Sequence, residues 1–373
     1  MSGARHLYVH LPFCASRCGY CDFVTVVGRE GQHRAYVDAL LAELSLEREL
    51  LAEPLESVFL GGGTPTFTEP RELERLLDAL PRAKEVTVEA NPETVNAELA
   101  SLLRAWGVDR VSLGAQSFRP HLLEVLERRA RPDDVRRAVY ALRDVNIDNI
   151  SLDLIYGIPG QSAADLDADL SDALALAPEH VSCYELEAKA GTRFTHAHGT
   201  ELARQAEAME SYFERVVARV TAAGYRWYET ANFCRAPSDA GGRDLRSRHN
   251  LAYWRGRDYL GLGIGAVSTI DGRRWRTTSR LGTYLAALVA GERPPRDLEE
   301  LPRDVRWSER VLLGLRLDEP LDVVGLERAV DWGAVERLER LGLVRRDNGS
   351  AEALTLTRRG RFLGGGVTAD LLA

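Results

Sequence analysis

Three cysteines, Cys14, Cys18 and Cys21, lie close together in the segment His10-Leu-Pro-Phe-Cys-Ala-Ser-Arg-Cys-Gly-Tyr-Cys-Asp-Phe23, and the chain holds five cysteines in all. A C-x3-C-x2-C spacing gathers thiolates, and thiolates hold metal. A four-iron cluster takes one cysteine thiolate per iron. Three thiolates therefore leave one iron with open positions for a small chelating molecule. Structural zinc is the competing chemistry, with His6 or His10 as a fourth ligand, although zinc motifs more often pair one C-x2-C with a second pair or with later histidines. A disulfide would need an oxidising compartment. The chain opens Met-Ser-Gly-Ala-Arg with no apolar leader-like run, so reduced cysteines in a cytoplasm are expected.

Other residues able to do chemistry sit at the ends of short apolar runs. Gly61-Gly-Gly-Thr-Pro-Thr66 follows Val58-Phe-Leu60, and its glycines would let a ligand approach the backbone. Glu89-Ala-Asn-Pro92, Gly114-Ala-Gln-Ser-Phe118 and Asp153-Leu-Ile-Tyr-Gly-Ile-Pro159 close three further runs. Each alone is weak evidence, since a glycine triplet is more often a turn than a cradle. His196 and His198, in a possible loop or strand, read as solvated surface histidines. Cys183 and Cys234 read as small buried apolar groups. Gly261-Leu-Gly-Ile-Gly265 lacks the G-x-G-x-x-G spacing of a dinucleotide site and reads as a backbone turn lining the central pocket.

These residues need elements to carry them. Strand-like runs at Leu7–Leu11, Ser57–Leu60, Val86–Glu89, Arg110–Leu113, Ile150–Leu154 and His180–Tyr184 alternate with helical patterns such as Arg34–Leu51, Glu69–Leu80 and Val95–Trp106. Repeated β-α units demand a parallel sheet with right-handed crossovers. Six of them suit a partial (βα)6 barrel, with an open doubly wound sheet as runner-up, and in either the chemistry gathers at the carboxyl ends of the strands. Beyond residue 190 the alternation fades. A helix over about Leu202–Ala223 that leads into Tyr225-Arg-Trp-Tyr-Glu229, a linker over Gly291–Asp304 and a winged-helix-like C-terminal α+β region are expected. The expected division is 1–200 for the barrel core, 201–295 for a barrel-completing region and 296–373 for the C-terminal module.

The chain of 373 residues is 45% hydrophobic and 28% charged, with a net charge of −8. That composition is ordinary for a soluble protein, and the acidic balance argues against a nucleic-acid binder. No apolar run approaches the ~18 residues of a membrane span.

Taken in order, the Cys triplet, the glycine-rich strand end and the later strand-end motifs resemble the radical S-adenosylmethionine superfamily. The resemblance implies a radical SAM barrel with a [4Fe-4S] cluster on Cys14, Cys18 and Cys21, and S-adenosylmethionine on the fourth iron. It implies that Tyr8 and Tyr20 flank the cluster and that Gly62, Gly63 and Thr64 meet the methionine end. Glu89, Gln116, Arg128 and Asp153 would hold ribose, carboxylate or a neighbouring ligand, since Arg suits a carboxylate. Tyr8-Val-His-Leu-Pro-Phe13, Gly61-Gly-Gly-Thr-Pro65, Gly114-Ala-Gln-Ser117 and Asp153–Pro159 are similar to the branch that holds the oxygen-independent coproporphyrinogen III oxidases and their haem-chaperone relatives.

Three places favour the chaperones. The oxidase pattern continues C-x2-C-x-C where this chain has Phe23, the oxidases carry a long extension before their cluster motif, and His249-Asn-Leu-Ala-Tyr-Trp254 matches the chaperones' H-N-x-x-Y-W. Neutral imidazole is a common axial ligand of haem iron, and Tyr253 and Trp254 would offer flat apolar surface with polar handles. His249, Asn250, Tyr253 and Trp254 are thus the expected haem residues, although a histidine among aromatics is also the pattern of a packed side chain. Cys234–Arg248 reads as an Arg-rich mobile loop, broken at Pro237 and Gly241-Gly242, whose Arg246 or Arg248 would pair a haem propionate. The expected partners are haem, an acceptor protein and an electron donor of the flavodoxin or ferredoxin kind. Two departures from the branch remove histidines: Ala130 in Leu126-Glu-Arg-Arg-Ala130, and Val267 in Gly265-Ala-Val-Ser268. Any proton transfer by histidine at those points is put in doubt.

Overall fold

The computed structural model describes residues 3–189, 193–237, 241–346 and 353–373. Six parallel strands, β1 (His6–Leu11), β2 (Ser57–Gly62), β3 (Val86–Ala90), β4 (Arg110–Gln116), β5 (Asn149–Tyr156) and β6 (His180–Glu185), run in sequence order across one sheet. Helices His33–Glu47, Pro70–Ala79, Ala97–Ala105, Pro132–Asp144 and Ala163–Ala175 make the crossovers. Their starts carry sequence reasons: Asn96 Oδ1 accepts the Leu99 amide at 2.8 Å, Ser162 and Asp165 form a reciprocal capping box, and proline occupies the first turn at Pro70 and Pro132. This is the partial (βα)6 barrel the alternation predicts.

The sheet grows beyond six strands. Strands β7 (Tyr225–Trp227) and β8 (Asn232–Arg235) add an antiparallel hairpin beside β6, and β9 (Leu260–Leu262) joins β1 in parallel at the other edge. Gly261, read as part of a turn, is therefore a strand residue; a Cβ there would meet the Val267 carbonyl at 2.3 Å. The turn proper begins at Gly263, whose φ is +100°.

Each barrel strand has two chemically different faces. Leu7, Val9 and Leu11, Val58 and Leu60, Val111 and Leu113, and Leu152 and Leu154 pack in the main hydrophobic core beneath the helices. Alternate residues point to the opposite side, and there stand His6, Tyr8 and His10, then Thr87 and Glu89, Arg110 and Ser112, Ser151 and Asp153, and His180 and Ser182. Register puts Glu89 beside Ser112, Ser112 beside Ser151, and Ser151 beside His180. The lumen is thus lined by polar side chains, where an ordinary barrel of this type is filled by branched apolar ones.

Three local expectations are corrected. The single helix over Leu202–Ala223 is two, Arg193–Ala206 and Met209–Ala222; Gln205 and Tyr212, either side of the break, both donate to the Gln161 carbonyl at 2.8 Å, which fixes their angle. His196 and His198 lie in the first of these helices. Within the supposed linker, Arg296–Glu300 is a strand paired with Arg273–Thr277, its charges satisfied across the ladder and by Glu47, which takes Arg296 Nη2 at 2.7 Å. Part of the Arg-rich loop, residues 238–240, lies outside the described residues.

A separate hydrophobic core of Val311, Leu315, Val335, Leu338, Leu354, Leu371 and neighbours forms the C-terminal region. A three-stranded antiparallel sheet, ordered Leu321–Asp322, Ala353–Leu356, Val344–Arg346, packs there with helices Arg303–Gly314 and Trp332–Arg340. Among the described residues no helix is long and apolar enough to cross a membrane.

Candidate functional site

At the carboxyl end of the barrel, Cys14 follows β1 and pairs through Phe13–Cys14 with Val26–Val27, so the loop carrying Cys18 and Cys21 is anchored at both feet. All three are free thiols, Cys14 buried and the others half-buried. Burial pushes the Cys14 and Cys21 thiols above their ordinary range. A chain of hydrogen bonds joins two of them: Thr64 Oγ1 donates to Cys14 Sγ at 3.4 Å, Asn91 Nδ2 to Thr64 Oγ1 at 3.2 Å, Arg128 Nη2 to Asn91 Oδ1 at 2.9 Å, and Arg128 Nη1 to Cys18 Sγ at 3.6 Å. Asn91 is the member that sequence reading missed. It belongs to Glu89-Ala-Asn-Pro92 and could have been weighed as a strand-end polar residue.

The glycine triplet serves the chain itself. A Cβ on Gly62 would meet the His10 ring at 2.4 Å, one on Gly63 the Pro12 carbonyl oxygen at 2.5 Å, and one on Gly61 Glu89 Oε2 at 2.7 Å. Side chains there would force β2 away from β1 and from the cysteine loop. With no side chain at these positions, Thr64 comes within reach of Cys14. Gly114 acts likewise, since a Cβ would lie 2.9 Å from Gln116 Nε2 and 3.3 Å from Arg128 Nη2.

The remaining upper-end residues fall around this chain. Tyr20 senses the charges of Arg128, Cys18 and Cys21 and is pushed up mainly by burial. Gln116 adopts φ +62° beside a register irregularity in β4, and such strain in a non-glycine residue clusters at functional sites. Glu89 Oε2 accepts the Gly62 amide at 3.0 Å, and burial lifts its carboxyl to about 7. Asp153, also raised by burial, accepts Ser112 Oγ at 2.9 Å and Ser151 Oγ at 3.2 Å. Tyr8 lies a layer down from the cysteine loop. Its hydroxyl meets His10 Nδ1 at 3.0 Å, and His10 Nε2 meets the Val24 carbonyl at 2.8 Å.

That geometry tests which metal group the donors fit. Both nitrogens of His10 are taken, and His6 starts the strand ~13 Å below it, so neither completes a zinc site with the cysteines. Among the described residues no three His, Cys, Asp or Glu side chains converge on one point. A zinc ion needs such convergence, whereas in a four-iron cube each thiolate takes its own iron. Arg128 Nε is buried without an acceptor, a donor left over for an anionic group beside the thiols. The residues fit a three-cysteine cluster with an anionic chelator.

The expected haem residues sit at the opposite, amino-terminal end. The helix Arg248–Trp254, capped by Ser247, turns His249 inward. His249 is 1% exposed, its Nδ1 3.1 Å from Ser57 Oγ and its Nε2 2.9 Å from Tyr253 Oη. Burial pulls its pKa down to about 3. It stacks on Phe59 at 5.0 Å and Tyr8 at 6.2 Å. His249 is therefore a buried histidine with both ring nitrogens engaged. Trp254 lies under the Arg316 guanidinium at 4.4 Å, and the Asn250 amide caps onto Ser247 Oγ at 3.3 Å. Arg246 is bound to Asp244 and Glu319, which removes it as a free propionate partner. Nearby, Arg110 is 2% exposed, and its charge acts on Glu85, Glu89 and Asp153. Sequence reading passed over Arg110 and His180 as strand residues; their signal was a polar group at every second position.

Residues 8–173 match the family model described as the Radical SAM superfamily. The chain is 36% identical to the haem chaperone HemW of Mycobacterium tuberculosis, over 98% of this chain and 94% of that protein. It is 32% identical to HemW of Bacillus subtilis, over 97% and 98%. Coproporphyrinogen III oxidase (HemN) from Escherichia coli, described as a radical SAM enzyme, superposes with a TM-score of 0.81 over 99% of this chain and 90% of that one, at 22% identity. At that identity the likeness speaks for the fold. Similarity at a third of all positions, running through nearly the whole of both chains, decides the family: this chain belongs to the HemW haem chaperones of the radical SAM superfamily.

Proposed function

We propose that this protein binds haem and hands it to an acceptor protein in the cytoplasm, carrying a [4Fe-4S] cluster on Cys14, Cys18 and Cys21 with S-adenosylmethionine at the fourth iron. The observation that carries the reading is the match, through nearly the full chain, to relatives named haem chaperones. Phe23, where the oxidase pattern has a further cysteine, agrees with it. When bound, the cluster and nucleotide supply one-electron reduction, with a flavodoxin or ferredoxin as the source.

The chain's own residues have separate tasks. Thr64 and Arg128 donate to the sulfurs of Cys14 and Cys18, which tunes a cluster held there. Arg128 Nε offers a charge-assisted hydrogen bond to a carboxylate. Glu89 and Asp153 face the lumen and suit ribose hydroxyls. Gly62, Gly63 and Gln116 shape the backbone around the methionine end, with Tyr8 and Tyr20 closing the sides.

The test is anaerobic reconstitution, followed by iron, sulfide and haem analysis and by haem transfer to an apo-acceptor. About four irons per chain are expected for the native protein, and fewer than about one for the Cys14→Ala, Cys18→Ala, Cys21→Ala variant. Haem transfer should fall in that variant. Fluorescent product formed from coproporphyrinogen III under reduction would replace this reading with an oxidase.

A further inference from the structure

The group of three thiols has an inner and an outer side. From within the barrel, Thr64 and Arg128 donate to the sulfurs of Cys14 and Cys18. Cys21 is met from without: Arg17 Nη2 donates to its carbonyl at 3.1 Å, and the Phe23 amide faces its sulfur. Both of these residues are exposed. Phe23 stands where the oxidase pattern has a further cysteine, and at 65% exposure it is the most exposed aromatic side chain among the described residues. Val27, 46% exposed, ends the same loop.

An exposed apolar side chain needs no explanation by itself; the charge around this loop sets it apart. Arg17, Arg29 and Arg276 are exposed and form no ion pair among the described residues. Arg29 lies two residues beyond Val27. Arg276 precedes Thr277, whose carbonyl takes the Gly265 amide at 3.1 Å, and Gly265 packs on Val24 so closely that a Cβ would lie 2.7 Å from Val24 Cγ2. Two acids share the loop. Asp22 is met by Lys189 at 3.6 Å, and Glu30 is exposed. The balance of this face is basic, in a chain whose net charge is −8.

We propose that this face docks the electron donor, an acidic carrier protein with its cofactor at its surface, which seats on Phe23 and Val27, pairs its carboxylates with Arg17, Arg29 and Arg276, and delivers the electron at Cys21. The proposal rests on the [4Fe-4S] reading. One electron leaves the reduced cofactor of the carrier and takes the cluster from its 2+ to its 1+ state, and no bond forms or breaks. A small apolar centre with a charged rim suits such a partner, because redox encounters bury little surface, below about 1,200 Å2, and are steered by charge. Aromatic and Arg side chains are also the anchors that interface centres favour.

The experiment uses the reconstituted whole chain with a bacterial flavodoxin as the probe. Affinity for oxidised flavodoxin is read by calorimetry, and the rate of cluster bleaching is read after mixing with reduced flavodoxin or with dithionite. Phe23→Ser, which keeps the amide facing Cys21, and the double variant Arg29→Glu, Arg276→Glu should each hold the native iron content and bleach with dithionite at the native rate. Each should lose roughly tenfold in affinity and in flavodoxin-driven rate. Added salt should slow the native protein more than the double variant. Native affinity and rate in either variant that retains its iron overturn the proposal, as does an effect confined to self-association in sedimentation, which would make the occupant a second copy of this chain. Both results leave the [4Fe-4S] reading standing. A native protein that assembles no cluster overturns that reading and the proposal with it.

Discussion

At the amino-terminal end of the lumen the ring nitrogens of His180 and His249 are all engaged, by Ser151 at 2.9 Å, Tyr228 at 2.8 Å, Ser57 at 3.1 Å and Tyr253 at 2.9 Å. At the carboxyl end, three thiols stand free and Arg128 Nε has no acceptor. The same residue types thus reach opposite outcomes in one barrel. Below, polar groups come mainly from strands and one short helix and satisfy one another, as buried polar groups must. Above, they come from strand ends and loops, where the chain can leave donors and ligands unspent. Chemistry needs unspent groups, and the division separates a rigid base from a receptive mouth.

Arg110 departs from this pattern at the lower end, since its Nε is buried without a partner, as is Asn149 Oδ1 beside it in register. It makes no direct ion pair among the described residues, yet Glu85, Glu89 and Asp153 all feel its charge. Arg110→Met would strand those carboxylates. The expected cost is about 3–5 kcal/mol, the usual result of removing one side of a buried charge system. Urea unfolding at pH 8 should show it in full, and the loss should shrink towards pH 5, where the carboxyls can take protons. A loss below about 1 kcal/mol at pH 8 would mean that the lower end does not depend on this charge.

The next largest effect separates the ends by pH. Glu89 has an ordinary carboxyl pKa of 4.5 lifted to about 7, chiefly by burial, with the Gly62 amide opposing and Asp153 adding. The folded state therefore binds this proton more tightly than the unfolded chain does. Stability falls as pH rises from about 4.5 to about 7 and is flat above. Glu89→Gln keeps an oxygen for the Gly62 amide and removes the titration, so the variant should gain up to ~3 kcal/mol over the native protein at pH 8 and nothing at pH 4. Glu43, also lifted to about 7 by burial, titrates in the same window, so the difference between the two curves is the quantity to read. His249, held near 3 against an ordinary 6.5, adds a slope of the opposite sign between about 3 and 6.5, and both proteins share it, so it too drops out of the difference.

Much of this was legible in the sequence. The six strands appear as short β-rich runs between helical patterns, and the cysteine spacing announces metal chemistry on its own. What was hidden depends on register. No single strand shows that Ser112, Ser151 and His180 form one row, because the row exists only across three strands. The glycines of Gly61–Gly63 announce a close approach, but that Gly62 and Gly63 approach His10 and Pro12 appears only when β1 is laid against them. His249 reads as a haem residue from the H-N-x-x-Y-W match; that its ring nitrogens meet Ser57 and Tyr253 depends on a contact 192 residues apart in sequence. Strand Arg296–Glu300 was missed for the same reason, its charges matched only by a partner strand and by Glu47.

The smallest predicted effect bears on whether the upper end is receptive by design. Gln116 holds φ +62°, a left-handed conformation that costs a non-glycine residue about 1–2 kcal/mol. Gln116→Gly would relieve that strain, but glycine frees the unfolded chain by about 0.5–1 kcal/mol. The two terms nearly cancel, so urea unfolding should change by less than about 1 kcal/mol. Asp271, at φ +51° in the turn after Ile270 and away from the lumen, gives the control: Asp271→Gly meets the same cancellation. The variants should part in S-adenosylmethionine binding by calorimetry on reconstituted protein. Gln116→Gly should weaken it by roughly tenfold, the worth of one lost hydrogen bond with an ordered partner, whereas Asp271→Gly should leave it alone. Equal behaviour of the two would make the twist at Gln116 a property of the β4 irregularity alone.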